Sequence, residues 1–412
     1  MKARILGMIL AGGEGSRLAP LTRDRAKPAV PFGGKYRIID FVLSNFINSE
    51  IYSIYVLVQF KCQSLIEHLQ ERWRFGGVLG EHFISSVPAQ MWKGQTWYQG
   101  NADAVYQNLH LIENFQPDFV AVFGADHIYR MDIRQMMTFH LEHQAEVTIA
   151  AFPVPVEAGS AFGILQVEKD GQIIGFEEKP PPERLQAIGR SIPPNSTFGA
   201  LAPGKPDQPF VASLGMYVFS RDVLLDMLSA GSAADFGREL IPAALDQYQV
   251  DAFLFDGYWA DVGTVESFYD ANIMLTRPDA PFRFHDAQRP FYTRPRILPG
   301  SRLRDCSVRD AVIAEGCTID RSTIAESIVG IRTRIREGAS IRRSVLLGAD
   351  FYEDDRPDNR RPSLGIGRDV ELDRVIVDKN ARIGDGSRLV NADQVRDADG
   401  PGYFIRNGVI VV

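Results

Sequence analysis

Three glycines within four positions interrupt an apolar run near the start of the chain, in the stretch AGGEGSRL (11–18), and two cations follow. The cations are Arg17 and Lys27. Glycine lets backbone amides approach a ligand closely, and both cations offset negative charge, so the pattern favours a phosphate site. A dinucleotide fingerprint fits poorly, because its third glycine is missing and Arg17 intrudes, and a Walker loop would end in Gly-Lys-Ser/Thr. Taken alone, the stretch is equally compatible with a structural turn carrying solvated charges.

Two further polar stretches, GADHIY (124–129) and FEEKP (176–180), contain residues that could do chemistry. Asp126 comes just after a predicted strand, where a lone aspartate is most often only a turn residue. Lys179 is a point charge that suits a phosphate group, and Glu178 beside it could accept hydrogen bonds from hydroxyls. In isolation, FEEKP also fits a simple polar turn.

Strand-like and helix-like segments alternate through the first part of the chain. Short apolar runs predict buried strands at 5–10, 54–58 and 118–123. Helical patterns follow Asp40, cover 64–74, begin at Asn101 as a candidate N-cap, and begin again after Asp132. This alternation predicts an α/β fold with a Rossmann-like, doubly wound sheet. In such a sheet the loops at the carboxyl ends of the strands form the ligand site, so AGGEGSRL and GADHIY should lie together.

Hydrophobic residues recur every six positions toward the carboxyl end. With glycine and small polar residues between, this period is typical of a parallel β-helix, because each coil stacks one apolar residue per side on its neighbours. The recurring residues are Val329, Ile335, Ile341 and Leu347, then Leu364, Val370 and Ile376, and, one position shifted, Val377, Ile383 and Leu389. Ordinary β-hairpins are the alternative, because the register breaks near 348–362 and near 376. The stretch DFYEDDRPDNRRPS (350–363) is predicted to be an inserted exposed loop.

The composition of the 412 residues limits the class of partner. A formal net charge of −7 argues against broad binding of nucleic acid or an anionic membrane. The apolar segment after Lys2 and Arg4 is too short to cross a membrane or to act as a secretion signal. Cys62, Cys306 and Cys317 are scattered, without metal-binding spacing, so we expect a reducing cytoplasmic setting and no structural zinc.

Several motifs together resemble the glucose-1-phosphate adenylyltransferases, a branch of the sugar-1-phosphate nucleotidyltransferases. After AGGEGSRL they are FGGKYRIIDF, WYQGNADAV, GADHIY, SAFG, FEEKP, ASLGMYVF and YWADVGT. The resemblance covers nearly the whole chain. It implies a nucleotidyltransferase catalytic domain at 1–278, a Pro- and Arg-rich linker at 279–296, and a left-handed β-helix of hexapeptide repeats at 297–412.

The resemblance implies that ATP and glucose 1-phosphate react to give ADP-glucose and pyrophosphate. Arg17 would hold the β- and γ-phosphates, and Lys27 the leaving pyrophosphate. Asp126, counted with these two as catalytic, and Asp261 would bind Mg²⁺, which prefers carboxylate and phosphate oxygens. Here Gly124-Ala125 precedes Asp126 where many relatives have Ala-Gly.

The resemblance also assigns the residues that bind the two substrates. Those for the nucleotide are Ala11, Gly12, Gly13, Gln59 and Gly100, and those for glucose 1-phosphate are Tyr98, Gly163, Glu178, Lys179 and Ser213. Asn101 stands where several relatives have threonine, next to the expected adenine contacts. Another nucleotide, giving a UDP-, dTDP- or GDP-sugar, therefore stays open.

Regulation by a small phosphorylated effector and assembly as a homotetramer are also implied. Lys35 and Lys379 match positions linked to effectors, although a basic residue on a β-helix is often only solvated surface. The chain stops at Val412, where plant-type relatives continue with a basic segment. Two other functions are open: an inactive regulatory subunit, and an acyltransferase, which needs a base although no histidine lies in the predicted coils.

Overall fold

The computed structural model describes residues 3–73, 82–92, 94–188, 209–229, 231, 233–353 and 362–412. The strands of the amino-terminal part are β1 (Ile5–Ala11), β2 (Pro31–Phe32), β3 (Tyr36–Arg37), β4 (Ser53–Val58), β5 (Phe83–Pro88), β6 (Phe119–Gly124), β7 (His127–Tyr129), β8 (Val147–Val154), β9 (Gly163–Val167), β10 (Ile173–Glu178), β11 (Phe210–Ser220), β12 (Val250–Leu254) and β13 (Trp259–Asp261). Its α-helices are α1 (Ile38–Asn48), α2 (Gln63–Arg72), α3 (Asn101–Tyr106), α4 (Leu109–Phe115), α5 (Ile133–Glu142), α6 (Pro182–Ile188), α7 (Arg221–Ser229), α8 (Ile241–Ala244) and α9 (Val265–Met274).

Most of these strands form one mixed sheet in the order β10-β9-β11-β6-β1-β4-β5, and β8 and β12 extend it beside β11. Strands β6, β1, β4 and β5 run parallel, as the alternation of strands and helices predicts. Strand β11 runs antiparallel to β6, β8 and β9. The antiparallel half was not predicted, because an apolar run of strand length does not encode strand direction.

Apolar side chains cover both faces of the sheet. On β1, Leu6 and Met8 pack toward α3, α4 and α7, whereas Ile9 and Ala11 pack toward α1, α2 and α5. Helices on both faces are the doubly wound arrangement that the sequence predicts.

One of the three predicted helix starts is observed as predicted, and two differ by a few residues. Asp132 caps α5 by accepting a hydrogen bond from the Arg134 amide, as predicted. Asp40, expected before a helix, lies in the first turn of α1 and accepts from the Arg37 amide. Asn101 is the first residue of α3 rather than its N-cap, because Gly100 occupies the cap position. The predicted helix 64–74 is observed as α2, and Arg74 lies outside the described residues.

The carboxyl-terminal part is built from short strands and begins after residues 275–301, which contain no helix or strand. Its strands are β14 (Arg302–Arg304), β15 (Ser307–Ile313), β16 (Thr318–Asp320), β17 (Thr323–Val329), β18 (Arg334–Ile335), β19 (Ser340–Arg342), β20 (Val345–Leu346), β21 (Gly365–Ile366), β22 (Glu371–Asp373), β23 (Val375–Val377), β24 (Arg382–Ile383), β25 (Arg388–Val390), β26 (Ala398–Gly400), β27 (Tyr403–Arg406) and β28 (Val409–Val411).

These strands stack as the three faces of a parallel β-helix. One face runs β14-β16-β18-β21-β24. The two halves of β15 and β17 begin the other faces, which continue through β19, β22 and β25 and through β20, β23 and β28. The six-residue period is confirmed, because Val329, Ile335 and Ile341 are fully buried inside the coils. Antiparallel pairing occurs among the described coils only at the closing strands β26, β27 and β28.

One of the hydrophobic clusters spans both parts. Leu18 and Leu21, from the loop after β1, are fully buried in one cluster with Ile376, Val409 and Val411 of the β-helix. The connecting residues 275–301 pack against the amino-terminal part, where the ring centroid of Phe291 lies 4.8 Å from that of Phe41. The predicted inserted loop lies mostly outside the described residues, at 354–361.

Among the described helices, none has the length and apolar character needed to span a membrane.

Candidate active site

A cavity of about 610 Å³ opens at the carboxyl ends of β1, β4 and β6. Every predicted site residue except the two effector candidates lines it. These residues are Ala11, Gly12, Gly13, Arg17, Lys27, Gln59, Tyr98, Gly100, Asp126, Gly163, Glu178, Lys179, Ser213 and Asp261. Side chains up to 250 positions apart in sequence therefore meet in one pocket.

The glycine-rich loop turns sharply at Gly15, which has φ of 67° in the left-handed region. A side chain there would be strained and would approach Lys27 Cβ at 3.0 Å, so only glycine fits without adjustment. The Thr22 hydroxyl donates to the Gly15 carbonyl at 2.9 Å. The following 3-10 turn, Ser16–Leu18, buries Leu18 and leaves Arg17 exposed at the pocket, without an ion pair to any described residue.

Lys27 lies at the base of the pocket between two carboxylates. Its Nζ is 3.1 Å from Asp126 Oδ2 and 3.4 Å from Asp261 Oδ1, and only 7% of its side chain is exposed. An ammonium group in this position holds the two acidic side chains together, although they lie in different strands and loops.

Asp126, His127 and Asp261 form a cluster in which one potential ligand atom from each lies within 4.8 Å of the others. Pairing of β7 with β13 places His127 opposite Asp261. Burial alone would raise the pKa of Asp126, but His127 and Lys27 outweigh it and hold that pKa well below its ordinary value. The Asp126 carboxylate therefore stays charged at neutral pH. Carboxylate oxygens are the protein ligands that Mg²⁺ prefers, so the cluster fits a divalent cation.

The opposite wall of the pocket comes from the hairpin β9–β10. Glu178 pairs with Gly163 across the hairpin, and a Cβ on Gly163 would meet Glu178 Oε2 at 2.7 Å. Lys179 adopts φ of 50°, its amide donates to the Phe162 carbonyl at 3.0 Å, and its Nζ lies 3.0 Å from Glu178. A positive φ is uncommon for lysine, and in this backbone conformation Lys179 lines the pocket. Ser213 lies at an irregularity of β11 on the same wall.

The wall between β4 and α3 is closed by hydrogen bonds. Gln59 accepts from the Tyr98 amide at 2.8 Å and donates to the Tyr98 carbonyl at 3.3 Å. The Tyr98 hydroxyl accepts from Asn108 at 2.8 Å, and burial raises the pKa of Tyr98. Gly100 lies against the Ala234 carbonyl, which a Cβ there would meet at 2.2 Å. The primary amide of Gln59 thus already binds protein backbone in this arrangement.

Two family models match the chain over its length: the nucleotidyl transferase family at residues 6–277, and the GLGC left-handed parallel beta-helix domain at 296–412. The chain belongs to the nucleotidyl transferase family. The second match identifies the β-helix as left-handed. The combination is the architecture of the glucose-1-phosphate adenylyltransferases, so the resemblance seen in the sequence is confirmed, and the chain is a sugar-1-phosphate nucleotidyltransferase.

The pocket of this nucleotidyl transferase also contains residues that sequence reasoning missed. They are Phe60, His127, Asp235 and Trp259. His127 lies 3.3 Å from Asp126 Oδ1, and its ring packs 4.8 Å from that of Trp259. His127 and Trp259 could have been found from the sequence, because His127 follows Asp126 and Trp259 stands within YWADVGT. Asp235 has no comparable signal.

The two effector candidates of this nucleotidyl transferase lie outside the pocket, Lys35 next to the β-helix and Lys379 on one of its coils. Lys35 Nζ is 2.8 Å from Glu315, and Lys379 Nζ is 2.8 Å from Asp350. Burial lowers the pKa of Lys379, and the Asp350 carboxylate opposes that change. Both lysines are therefore ion-paired with protein carboxylates.

Proposed function

We propose that this nucleotidyltransferase joins ATP and α-D-glucose 1-phosphate to form ADP-glucose and pyrophosphate. The observation that carries the proposal is the single pocket lined by the glycine-rich loop, Arg17, Lys27 and two aspartates on one side and by Glu178 and Lys179 on the other. Such an arrangement suits two anionic substrates that must meet.

In the proposed reaction a phosphate oxygen of glucose 1-phosphate attacks the α-phosphorus of ATP. The bond from that phosphorus to the oxygen bridging the α- and β-phosphates breaks, and pyrophosphate leaves with the electron pair. The chain therefore needs no covalent nucleophile, and its residues act through position and charge. Arg17 would hold the β- and γ-phosphates, and Lys27 would neutralise the leaving pyrophosphate.

Asp126 and Asp261 are the residues that would hold Mg²⁺, with His127 as a close neighbour. When bound, the ion supplies positive charge that stabilises the oxygens of the reacting phosphates. Independently of it, Lys27 keeps the two carboxylates close together.

On the sugar side, Lys179 would bind the phosphate of glucose 1-phosphate and Glu178 would accept hydrogen bonds from its hydroxyls. Gly163 leaves room for Glu178, and Tyr98 and Ser213 complete the pocket. The ion pair between Glu178 and Lys179 holds both side chains on one wall.

Ala11, Gly12 and Gly13 would offer backbone to the nucleotide, and Gly100 and Gln59 would lie beside the base. Because the Gln59 amide is bonded to Tyr98, we expect it to shape the base pocket through that contact. Transfer of uridylyl, deoxythymidylyl or guanylyl groups is the second candidate, and the GLGC β-helix supports the adenylyl group. An inactive regulatory subunit is disfavoured, because all five charged residues expected to bind phosphate or metal are kept.

We further propose that ADP-glucose made here supplies glycogen- or starch-type glucan synthesis in the cytoplasm, where the free cysteines stay reduced. A phosphorylated effector would compete with Glu315 for Lys35, a contact between the two parts, and with Asp350 for Lys379, a contact within the β-helix. A homotetramer is the proposed assembly.

Release of pyrophosphate tests the proposed reaction. The full chain with Mg²⁺ and glucose 1-phosphate is given ATP, UTP, dTTP or GTP, and ADP-glucose is identified in the products. We expect ATP to be preferred by about fivefold to 150-fold, because contacts that distinguish related substrates are worth roughly 1–3 kcal/mol. Preference for another nucleotide would support the second candidate, and no turnover with any of them would contradict an active transferase.

A further inference from the structure

Arg17 and Lys27 belong to one segment, residues 12–29, that has little regular structure of its own. It contains two 3-10 turns, Ser16–Leu18 and Lys27–Ala29, joined by bends. Turns of this length make few internal hydrogen bonds, so they hold side chains weakly. The contacts that fix the segment must therefore come from neighbouring elements.

The β-helix supplies many of those contacts. Leu18 and Leu21 are buried in one hydrophobic cluster with Val409 and Val411, and the Arg23 guanidinium lies 5.2 Å above the ring of Phe404. The apolar contacts fix the middle of the segment. They do not by themselves set the direction of the chain as it approaches Lys27.

Arg25, two residues before Lys27, makes a polar contact with the β-helix. Its Nη1 donates to Asp378 Oδ1 at 2.8 Å and its Nη2 donates to Oδ2 at 2.7 Å. The side chains are only 11% and 25% exposed, so this two-point contact is little screened by solvent. A bidentate pair fixes both distance and orientation, which a single ion pair does not.

Asp378 is itself held in place. Its amide donates to the Val412 carbonyl at 2.8 Å, and its Oδ1 also accepts from the Lys379 amide at 2.6 Å. On the other side of Arg25, the Ala26 amide donates to the Lys61 carbonyl at 3.2 Å. Ala26, directly before Lys27, is thus fixed by a hydrogen bond to Lys61. Arg25 is fixed by the Asp378 carboxylate.

We propose that Asp378 of the β-helix is a positioning residue for the active site: it holds Arg25, and through Arg25 it fixes Lys27 and the segment that also carries Arg17. The roles of Arg17 and Lys27 rest on the proposed function. Removing the carboxylate charge would leave the Arg25 guanidinium largely buried without its partner, and the segment would move to hydrate it. Small displacements of charged groups that contact reacting phosphates reduce the rate strongly.

Asp378→Asn tests the proposal against a matched control, Asp373→Asn. Asp373 also lies on the β-helix and also makes a bidentate contact, to Arg343 at 2.8 and 2.7 Å, but among the described residues its carboxylate pairs only with Arg342 and Arg343 and with none of residues 12–29. Hydrogen–deuterium exchange of the full chain without substrates is measured first. We expect amides of residues 12–29 to exchange about tenfold faster in Asp378→Asn and at the wild-type rate in Asp373→Asn.

Steady-state kinetics then separate positioning from simple structural support. For Asp378→Asn we expect kcat/KM for ATP to fall about tenfold to a hundredfold, while KM for glucose 1-phosphate stays within about twofold. Arg25→Lys keeps the charge without the two-point contact, so its effect should be intermediate. It also replaces Asp378→Asn in the comparison if that variant does not fold.

Equal exchange in the two asparagine variants would overturn the proposal, as would faster exchange with unchanged kinetics for ATP. If the wild-type chain does not turn over ATP and glucose 1-phosphate, the proposed function fails instead. The exchange comparison needs no substrate, so equal rates would still overturn the positioning role and faster exchange at residues 12–29 would support it.

Discussion

Charged side chains serve opposite purposes in the pocket and on the outer surface of the β-helix. In the pocket, Lys27 is buried between Asp126 and Asp261, which come from distant parts of the chain. On the β-helix, Glu371 pairs with Arg388 of the next coil at 2.8 Å, and these side chains are 34% and 68% exposed. The contrast teaches that the pocket gathers charges from distant parts of the chain, whereas exposed coil charges such as Glu371 and Arg388 pair with the neighbouring coil and are screened by solvent.

The strongest way to break this contrast is Asp126→Asn, which removes one pocket charge and keeps the shape. We expect turnover to fall by about a thousandfold, because charge stabilisation at the reacting phosphates is lost. Pyrophosphate release measures it, and thermal unfolding should show an intact fold. Asp320→Asn on a coil is the control and should keep normal turnover. Turnover near wild type in Asp126→Asn would remove that residue from the mechanism.

The β-helix should instead respond to loss of an apolar side chain. Leu372 is fully buried on β22 within the coil core. Leu372→Ala should lower the free energy of unfolding by about 2–5 kcal/mol, because a cavity remains in a packed interior. Denaturant unfolding followed by circular dichroism measures the change. At a temperature where the variant is folded, we expect normal KM values. Reduced turnover with unchanged stability would contradict the view that this side chain acts only on stability.

Lys179→Ala sharpens the comparison within the pocket. Loss of the point charge should raise KM for glucose 1-phosphate about tenfold to a hundredfold, with a smaller change in KM for ATP. Initial rates at varied sugar phosphate and saturating ATP provide the measurement. Lys169→Ala, on the turn between β9 and β10, is the matched control. An unchanged dependence on glucose 1-phosphate would contradict the sugar-side assignment.

The smallest effect is expected from Glu371→Gln on the coil surface. Breaking its ion pair with Arg388 should change the free energy of unfolding by less than about 1 kcal/mol, because solvent screens exposed pairs. The same denaturant experiment as for Leu372→Ala measures it, with and without added salt. A loss as large as that of the leucine variant would mean that the coil charges carry the stability of the β-helix.

How far the sequence predicts each region follows from the same contrast. The β-helix could be predicted because its contacts repeat every six residues, as at Val329, Ile335 and Ile341. The meeting of the glycine-rich loop with Asp126 could be predicted from parallel strands. The place of Lys179 could not, because it depends on the antiparallel strands β9, β10 and β11, whose direction an apolar run does not encode. The direct contact of Lys27 with both carboxylates also needed coordinates.

The hydrophobic cluster that joins Leu18 and Leu21 to Ile376, Val409 and Val411 has a consequence for folding. A chain truncated before the first coil would expose a hydrophobic surface next to the glycine-rich loop. Exposed surfaces of this kind promote aggregation. The two parts should therefore melt in a single cooperative transition rather than one after the other. For the same reason, replacing either part with one from another protein should require matching substitutions at the hydrophobic contact between the two parts.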